Sequence, residues 1–404
     1  MGCQNKSDVN GLCSIEKLVM LIELIALQII LFLCNILFYG FISGDYASDY
    51  IEHINTVLSG QPGYSLMHRI IYFCYLFRNG NIVLTVTMSL VEFVTIIGVY
   101  AYVKKRCDDF INRKITLLIS TCLMFTSNLY IPVIFPHLYN HYTTVSQPFH
   151  NSTYMMMRMF SVFAVIMYFI ILEKIEENKI IQWKELILFC VSLTLCNYSK
   201  PNFFIAFAPV AFVTLVYYFI KNRAKNFTPI MQFGISVLLS MPIMIYQTLI
   251  VYGDGDDNSI LISANELIDY VFGNVEGSFF TYEISNLLFP MFVVVVMIFL
   301  KQKKEDIDFK RIIQAISFFE IAHLEQLLIT ETGDRWAHGN YAWGMYGLGF
   351  ILYMVSITEW VYLYKNGQLK NKWIYGIGIV LFTCHIASGI AYFILLFSGR
   401  VYII

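Results

Sequence analysis

The sequence predicts an all-α polytopic membrane protein with about eleven transmembrane helices, and three observations carry that expectation. Apolar and aromatic residues (Ala, Val, Ile, Leu, Met, Phe, Trp, Tyr, Cys) make up 58% of the 404 residues and charged ones only 14%, where soluble domains run about 45–50% and about 25%. The apolar residues are gathered into runs of bilayer length. Lys and Arg, finally, collect in alternate connecting segments. A mean hydropathy of +0.63 excludes an ordinary soluble enzyme, a disordered chain and a disulfide scaffold. The 27 basic and 28 acidic residues nearly cancel, so no nucleic-acid partner is expected. The nine cysteines form no C-x-x-C pair and read as small core hydrophobes.

A bilayer core of about 30 Å takes about 20 helical residues. The candidate runs are Leu18–Ile42, Ile82–Val103, Ile115–Phe135, Thr153–Leu172, Leu186–Asn197, Phe203–Ile220, Met231–Tyr252, Ile284–Leu300, Ile312–Thr330, Tyr341–Leu363 and Trp373–Phe397. The first is about 25 residues long and lacks a small-x-small cleavage site, so it reads as a span and not as a cleaved signal peptide. The fifth is short, and is expected to form half of a tight hairpin with the sixth around Asn197–Asn202. With a cytoplasmic N-terminus, 21 of the 27 Lys and Arg fall on inner segments, the bias that sets orientation. The whole chain, 1–404, then forms one membrane domain with two sizeable outer loops, 43–80 and 253–283.

Chemistry-bearing residues gather on the outer side. Six of the eight histidines (His53, His68, His137, His141, His150 and His338) fall there, and the inner loops hold none. In the first outer loop, Ser48 would cap a short helix, placing Asp49, Glu52 and His53 on one face at i, i+3 and i+4, with Asp45 just before it. Clustered carboxylates there suit proton exchange, and an acidic amphipathic helix resting on the membrane is the alternative. A second cluster, His150-Asn151-Ser152-Thr153, precedes the fourth run, with Arg158 one turn inside. That arginine either snorkels to the interface or binds an anion. Lys200, in Ser199-Lys200-Pro201-Asn202, is an isolated cation suited to a phosphate. The third cluster, Glu331–Tyr341, contains Asp334, Arg335 and His338, and follows a ninth run with Gln314, Glu320, His323, Glu325 and Gln326. Such residues face a polar network or a wet cavity. Glu23, Glu92 and Glu359 are single acids within runs: Glu92 is expected to face the bundle, and Glu23 and Glu359 to hydrate near a helix end. Asp254–Asn258 departs from the EF-hand spacing, and no phosphate-binding glycine loop or nucleophile elbow occurs.

Taken together, Ser48–Ile54 with Pro62-Gly63-Tyr64-Ser65-Leu66, Gln147–Arg158, Ser199-Lys200-Pro201-Asn202-Phe203 and Glu331–Gly344 make the chain resemble bacterial polytopic glycosyltransferases of the GT-C type, especially those of surface-polysaccharide clusters. Asn202 and Ser152 stand where that pattern has Ser and Pro. The resemblance implies a GT-C-like fold with amphipathic outer-loop helices. It also implies transfer of a sugar from a polyprenyl-phosphate carrier to an extracytoplasmic glycan or lipid-linked acceptor, with inversion. On that reading Asp49 is the base, Asp45 is second to it, and Glu52 and His53 are its partners. His150, Asn151, Arg158, Lys200, Arg335 and His338 would hold substrate and phosphate. Some members use a divalent metal, Mg or Mn, which Asp45, Asp49 and Glu52 could hold. The rivals are a surface-polysaccharide polymerase, disfavoured by the few and dispersed outer arginines, and a lipid-linked-sugar or ion-coupled transporter.

Overall fold

The helices of the chain pack around one central helix. The computed structural model describes residues 28–46, 48–61, 63–107, 111–129, 148–252, 260–262, 279–303, 309–332 and 340–398. In chain order these form α1 (Gln28–Ser43), α2 (Tyr50–Leu58), α3 (Leu66–Tyr75), α4 (Gly80–Cys107), α5 (Arg113–Cys122), α6 (Ser152–Glu176), α7 (Trp183–Ser199) and α8 (Asn202–Lys221). There follow α9 (Phe227–Ser240), α10 (Pro242–Tyr252), β1 (Ile260–Ile262), α11 (Phe279–Lys303), α12 (Lys310–Leu328), β2 (Ile329–Glu331), α13 (Ala342–Lys365) and α14 (Lys372–Phe397). The two strands pair antiparallel, Ile260 opposite Glu331.

Among the described residues, seven helical segments are long and apolar enough to cross a membrane: α4, α6, α8, α9 with α10, α11, α13 and α14. The chain is therefore an all-α protein of membrane type. Of the other four apolar runs, those of α5 and α7 hold shorter helices and that of α12 a more polar one, and the run of α1 is described only from Gln28 onward. Most of the second large outer loop, including Asp254, Asp256 and Asp257, lies outside the described residues.

Helix α13 is the axis, buried without interruption from Ala342 to Val361. Lipid tails give apolar helices no reason to associate, so close packing and polar contacts must hold such a bundle together. Gly344, Gly347, Gly349 and Ser356 keep α13 slim, and α4, α6, α8, α11 and α12 pack around it. The turn between α7 and α8 is the expected tight hairpin. Pro201 disfavours the helical conformation at the residue before it, and Lys200 is extended (φ −163°, ψ 119°).

Two runs depart from the expected straight spans. Met231–Tyr252 is split at Met241, where Pro242 lacks the N–H that would continue the ladder. In Ile115–Phe135 the α-helix ends at Cys122 and passes through a 3₁₀ turn, Leu123–Phe125. Residues 126–129 then carry no regular structure. This backbone is satisfied by its neighbours: Ser127 N–H donates to the His385 carbonyl (3.2 Å), Leu129 N–H to the Ser285 carbonyl (2.8 Å), and His385 Nδ1 lies 2.7 Å from the Ser127 carbonyl. Irregular backbone at membrane depth is tolerated only where protein covers it. Gly389 permits the approach, since a Cβ there would sit 1.7 Å from the Phe125 carbonyl oxygen.

Two of the three single acids within runs, Glu92 and Glu359, are paired, and Glu23 lies outside the described residues. Glu92 on α4 meets Arg158 on α6, both sealed from solvent. Arg158 is also caged by the rings of Phe149, Tyr154 and Phe350. Glu359 is buried instead of hydrated, and Arg106 grips it with two bonds of 3.0 and 2.9 Å while Arg311 stands 3.5 Å away. Arg311 also bonds Glu173, and Lys310 reaches Glu176 at 2.6 Å. Arg106, Lys310 and Arg311 thus clamp α4, α6, α12 and α13.

Removing one member of a buried pair strands the other charge. Arg158→Met is expected to cost about 3–5 kcal/mol of unfolding free energy in detergent, and Glu92→Met/Arg158→Met to recover most of it. Equal losses in the single and double variants would show that charge pairing is not what joins α4 to α6 there.

Candidate functional site

One end of the bundle, the outer one on the expected orientation, brings together pieces that are far apart in the sequence: α2 and α3, the 3₁₀ turn Pro148–His150, the first turn of α6, the α7–α8 hairpin and the start of α13. Asn151 is the junction. It stands in extended conformation as the N-cap of α6, and its Oδ1 accepts from Tyr154 N–H and from Thr153 Oγ1, both at 2.8 Å. Asn is a favoured cap because its short carbonyl reaches the orphan amides of the first turn. That fixes the other half of the side chain, and Nδ2 donates to Asp49 Oδ2.

Asp49 occupies the N-cap position of α2. Its N–H donates to the His150 carbonyl (3.1 Å), which ties the first outer loop to the turn before α6. Lys200 arrives from the hairpin, donating to Thr153 Oγ1 (3.4 Å) with its ammonium 4.3 Å from the centre of the Trp343 ring. Four groups therefore form one directed chain. Lys200 donates to Thr153, Thr153 to Asn151, and Asn151 to Asp49. Each donor polarises the next, which strengthens the series. A cation and an acid are held at its two ends with two neutral dipoles between them.

Of the residues expected at the site, Asp49, His53, His150, Asn151 and Lys200 come together. His150 is buried, its ring centre 6.0 Å from that of Trp343. Asp45 stands apart, exposed and accepting from Ser43 Oγ (2.8 Å). Glu52 is exposed on α2. The expected Ser48 cap is not formed: Ser48 Oγ donates back to the Phe41 carbonyl (2.9 Å), so α2 begins at Tyr50 with Asp49 at its head. Arg158 does not serve the lip, because its guanidinium is sealed against Glu92. Arg335 and His338 lie outside the described residues. The flanks of their segment do reach the hairpin, with Asn202 Nδ2 donating to the Asn340 carbonyl (2.8 Å) and Asn340 Nδ2 to Glu331 Oε2. Among the described residues no group of three or more His, Cys, Asp or Glu is arranged to hold a metal ion.

Three contributors carry no assigned role in the sequence reading. Thr153 and Trp343 fall within segments singled out there. His68 is the third. Ser65 caps α3, and His68 takes the third helical position, where a capping box places Glu or Gln. The Ser-x-x-His spacing was a usable signal for that contact. His68 Nε2 lies 3.1 Å from His53 Nδ1.

Burial pushes His53 down to about 4, with Asp49 raising it and Lys200 lowering it. It pushes His68 down to about 3, helped by His53 and Arg69. The unfolded chain protonates these imidazoles near pH 6.5, and the folded lip refuses the protons. Their contribution is therefore undiminished above about pH 6.5 and is lost as pH falls toward 4. Hydrogen exchange corrected for intrinsic rate should show α2 and α3 losing protection between pH 7 and 4.5 before α13 does. Unchanged protection of α2 and α3 would remove the histidine pair from the stability of the lip.

No family model, curated protein or solved structure matches this chain.

Proposed function

We propose that the chain is an integral membrane glycosyltransferase that moves a sugar from a polyprenyl-phosphate carrier to a glycan or lipid-linked acceptor on the outer face of a bacterial membrane. The observation that carries this reading is the hydrogen-bond chain from Lys200 to Asp49. It keeps an acid and a cation at the same end of the bundle without letting them neutralise each other. Sugar transfer from a phosphate needs both. Asp49 takes the proton of the acceptor hydroxyl as its oxygen bonds to the anomeric carbon. The bond from that carbon to the carrier phosphate breaks, its electron pair leaves on the phosphate oxygen, and Lys200 faces the growing charge. Attack from the side opposite the leaving group inverts the anomeric centre, through an oxocarbenium-like state as in glycoside hydrolysis. The apolar flanks of the bundle suit the prenyl tail, while the polar groups stand at the aqueous end.

An ion-coupled transporter is the second reading. Glu325 Oε2 and both amide atoms of Gln326 on α12 are buried without a hydrogen-bond partner, and unpaired polar groups in a span mark ion paths in carriers.

The deciding experiment is Asp49→Asn, read by the glycan composition of the producing cell and by sugar transfer in proteoliposomes. Transfer should fall about 10²–10⁴-fold, the usual worth of a general base, with normal insertion of the protein. Glu325→Gln should leave transfer intact. Unchanged glycan with Asp49→Asn, together with lost translocation in Glu325→Gln, would replace the enzyme reading by the transporter.

A further inference from the structure

The contacts among Ser65, His68 and His53 fix where each imidazole carries its proton. Ser65 N–H donates to His68 Nδ1 at 3.3 Å. A backbone amide has only a proton to offer, so His68 Nδ1 presents a lone pair and its proton sits on Nε2. The Ser65 hydroxyl, 2.7 Å from the same nitrogen, supports that state by donating as well. His68 Nε2–H then points at His53 Nδ1 across 3.1 Å. Two N–H groups cannot face each other, so His53 Nδ1 is also a lone pair and the His53 proton is on Nε2. The arrangement is tight: a Cβ at Gly63 would lie 2.5 Å from His68 Cβ, and the Tyr64 ring packs edge-on against the imidazole at 4.8 Å. The outer nitrogen, His53 Nε2, makes no hydrogen bond among the described residues and is not among the sealed polar atoms. His53 stands one helical turn after Asp49, whose carbonyl accepts the His53 N–H at 3.0 Å.

We propose that His53 serves the site as a neutral hydrogen-bond donor whose Nε2–H is offered to a phosphate oxygen, and that Ser65 and His68 are positioning residues that hold it in this tautomer. The inference rests on the glycosyltransferase reading of the lip and narrows it. A histidine acting as base must turn a lone pair toward the proton it takes. Here the only lone pair of His53 is occupied by His68, so the acceptor proton goes to Asp49. His53 is left to bind an anion without itself bearing charge. The charged groups bearing on the pair are Asp49 on α2, Arg69 on α3 and Lys200 at the end of α7. The ligand chemistry is a phosphate, either the head of a prenyl carrier or the free ion.

The test uses the full chain with ¹⁵N-labelled histidine in nanodiscs. Imidazole nitrogen spectra at pH 7 are assigned with His53→Gln and His68→Gln. Both residues should be neutral and protonated on Nε2. Added farnesyl phosphate should shift the His53 Nε2 signal. Inorganic phosphate should do so only at much higher concentration, and an equal response to both would identify the free ion as the ligand. His68→Gln keeps an N–H donor for His53 and should preserve its tautomer, whereas His68→Leu should give a mixture of tautomers. A charged or Nδ1-protonated His53 in the unmodified chain, or the same His53 state in His68→Leu as in His68→Gln, would overturn the tautomer lock. A locked His53 that neither phosphate shifts would overturn its donor role while leaving Asp49 as base, since that assignment is decided separately by glycan composition and sugar transfer in Asp49→Asn.

Discussion

A charge removed from water must meet a counter-charge or a full set of hydrogen bonds, and this constraint organises the molecule from one end to the other. Moving an ion into a medium of low dielectric costs several kcal/mol even after relaxation. The structure answers this demand in different ways at different depths. Glu92 and Arg158 are sealed, and they pair directly. Glu359 is buried but its partners Arg106 and Arg311 are partly exposed, and one acid is shared between two cations. At the outer lip Asp49 and Lys200 are both half-buried and do not touch. The direct pairs give up their charge to join helices. Asp49 and Lys200 are joined instead through Thr153 and Asn151, and the proposed chemistry is placed on that linkage.

The all-α membrane character was legible because span length acts over whole segments. No single polar residue erases a run of about 20 apolar ones. The run Ile115–Phe135 misled for the same reason. Thr126, Ser127 and Asn128 do not lower its hydropathy enough to announce that the helix has stopped. What decides its path is Gly389 and the carbonyls of Ser285 and His385, all more than 150 positions away. Arg158 is a parallel case. Its position one turn inside α6 is visible in the sequence, but its partner Glu92 lies 66 residues earlier, and spacing alone could not couple them.

The site was legible where local chemistry constrains a residue. Asn151 must cap a helix and Lys200 must be extended before Pro201. Both constraints are written in neighbouring residues, and both put a polar group at a fixed place on the outer rim. The acid cluster of the first loop was legible in composition but not in detail. A start of α2 one residue later than expected leaves Glu52 in solvent and brings Asp49 to the helix head. Ser65 and His68 bear on His53 through helix capping, a motif usually read for stability and not for function.

The lip also shows why neutral dipoles are better placed between Asp49 and Lys200 than nothing at all. Were the two in contact, any phosphate would have to compete with the carboxylate for the ammonium, and any hydroxyl with the ammonium for the carboxylate. With Thr153 and Asn151 between them, Asp49 receives a directed hydrogen bond that stabilises its charge while the rest of the carboxylate remains open as an acceptor. Trp343 plays the matching part for Lys200, since its ring face attracts the cation without neutralising it. His53, held neutral beside them, adds a donor without adding a positive charge that would draw Asp49 into an ion pair. Each support therefore fixes the position of a polar group without bringing Asp49 and Lys200 into direct contact, the arrangement that the proposed transfer, with an anion bound and a proton removed, would use.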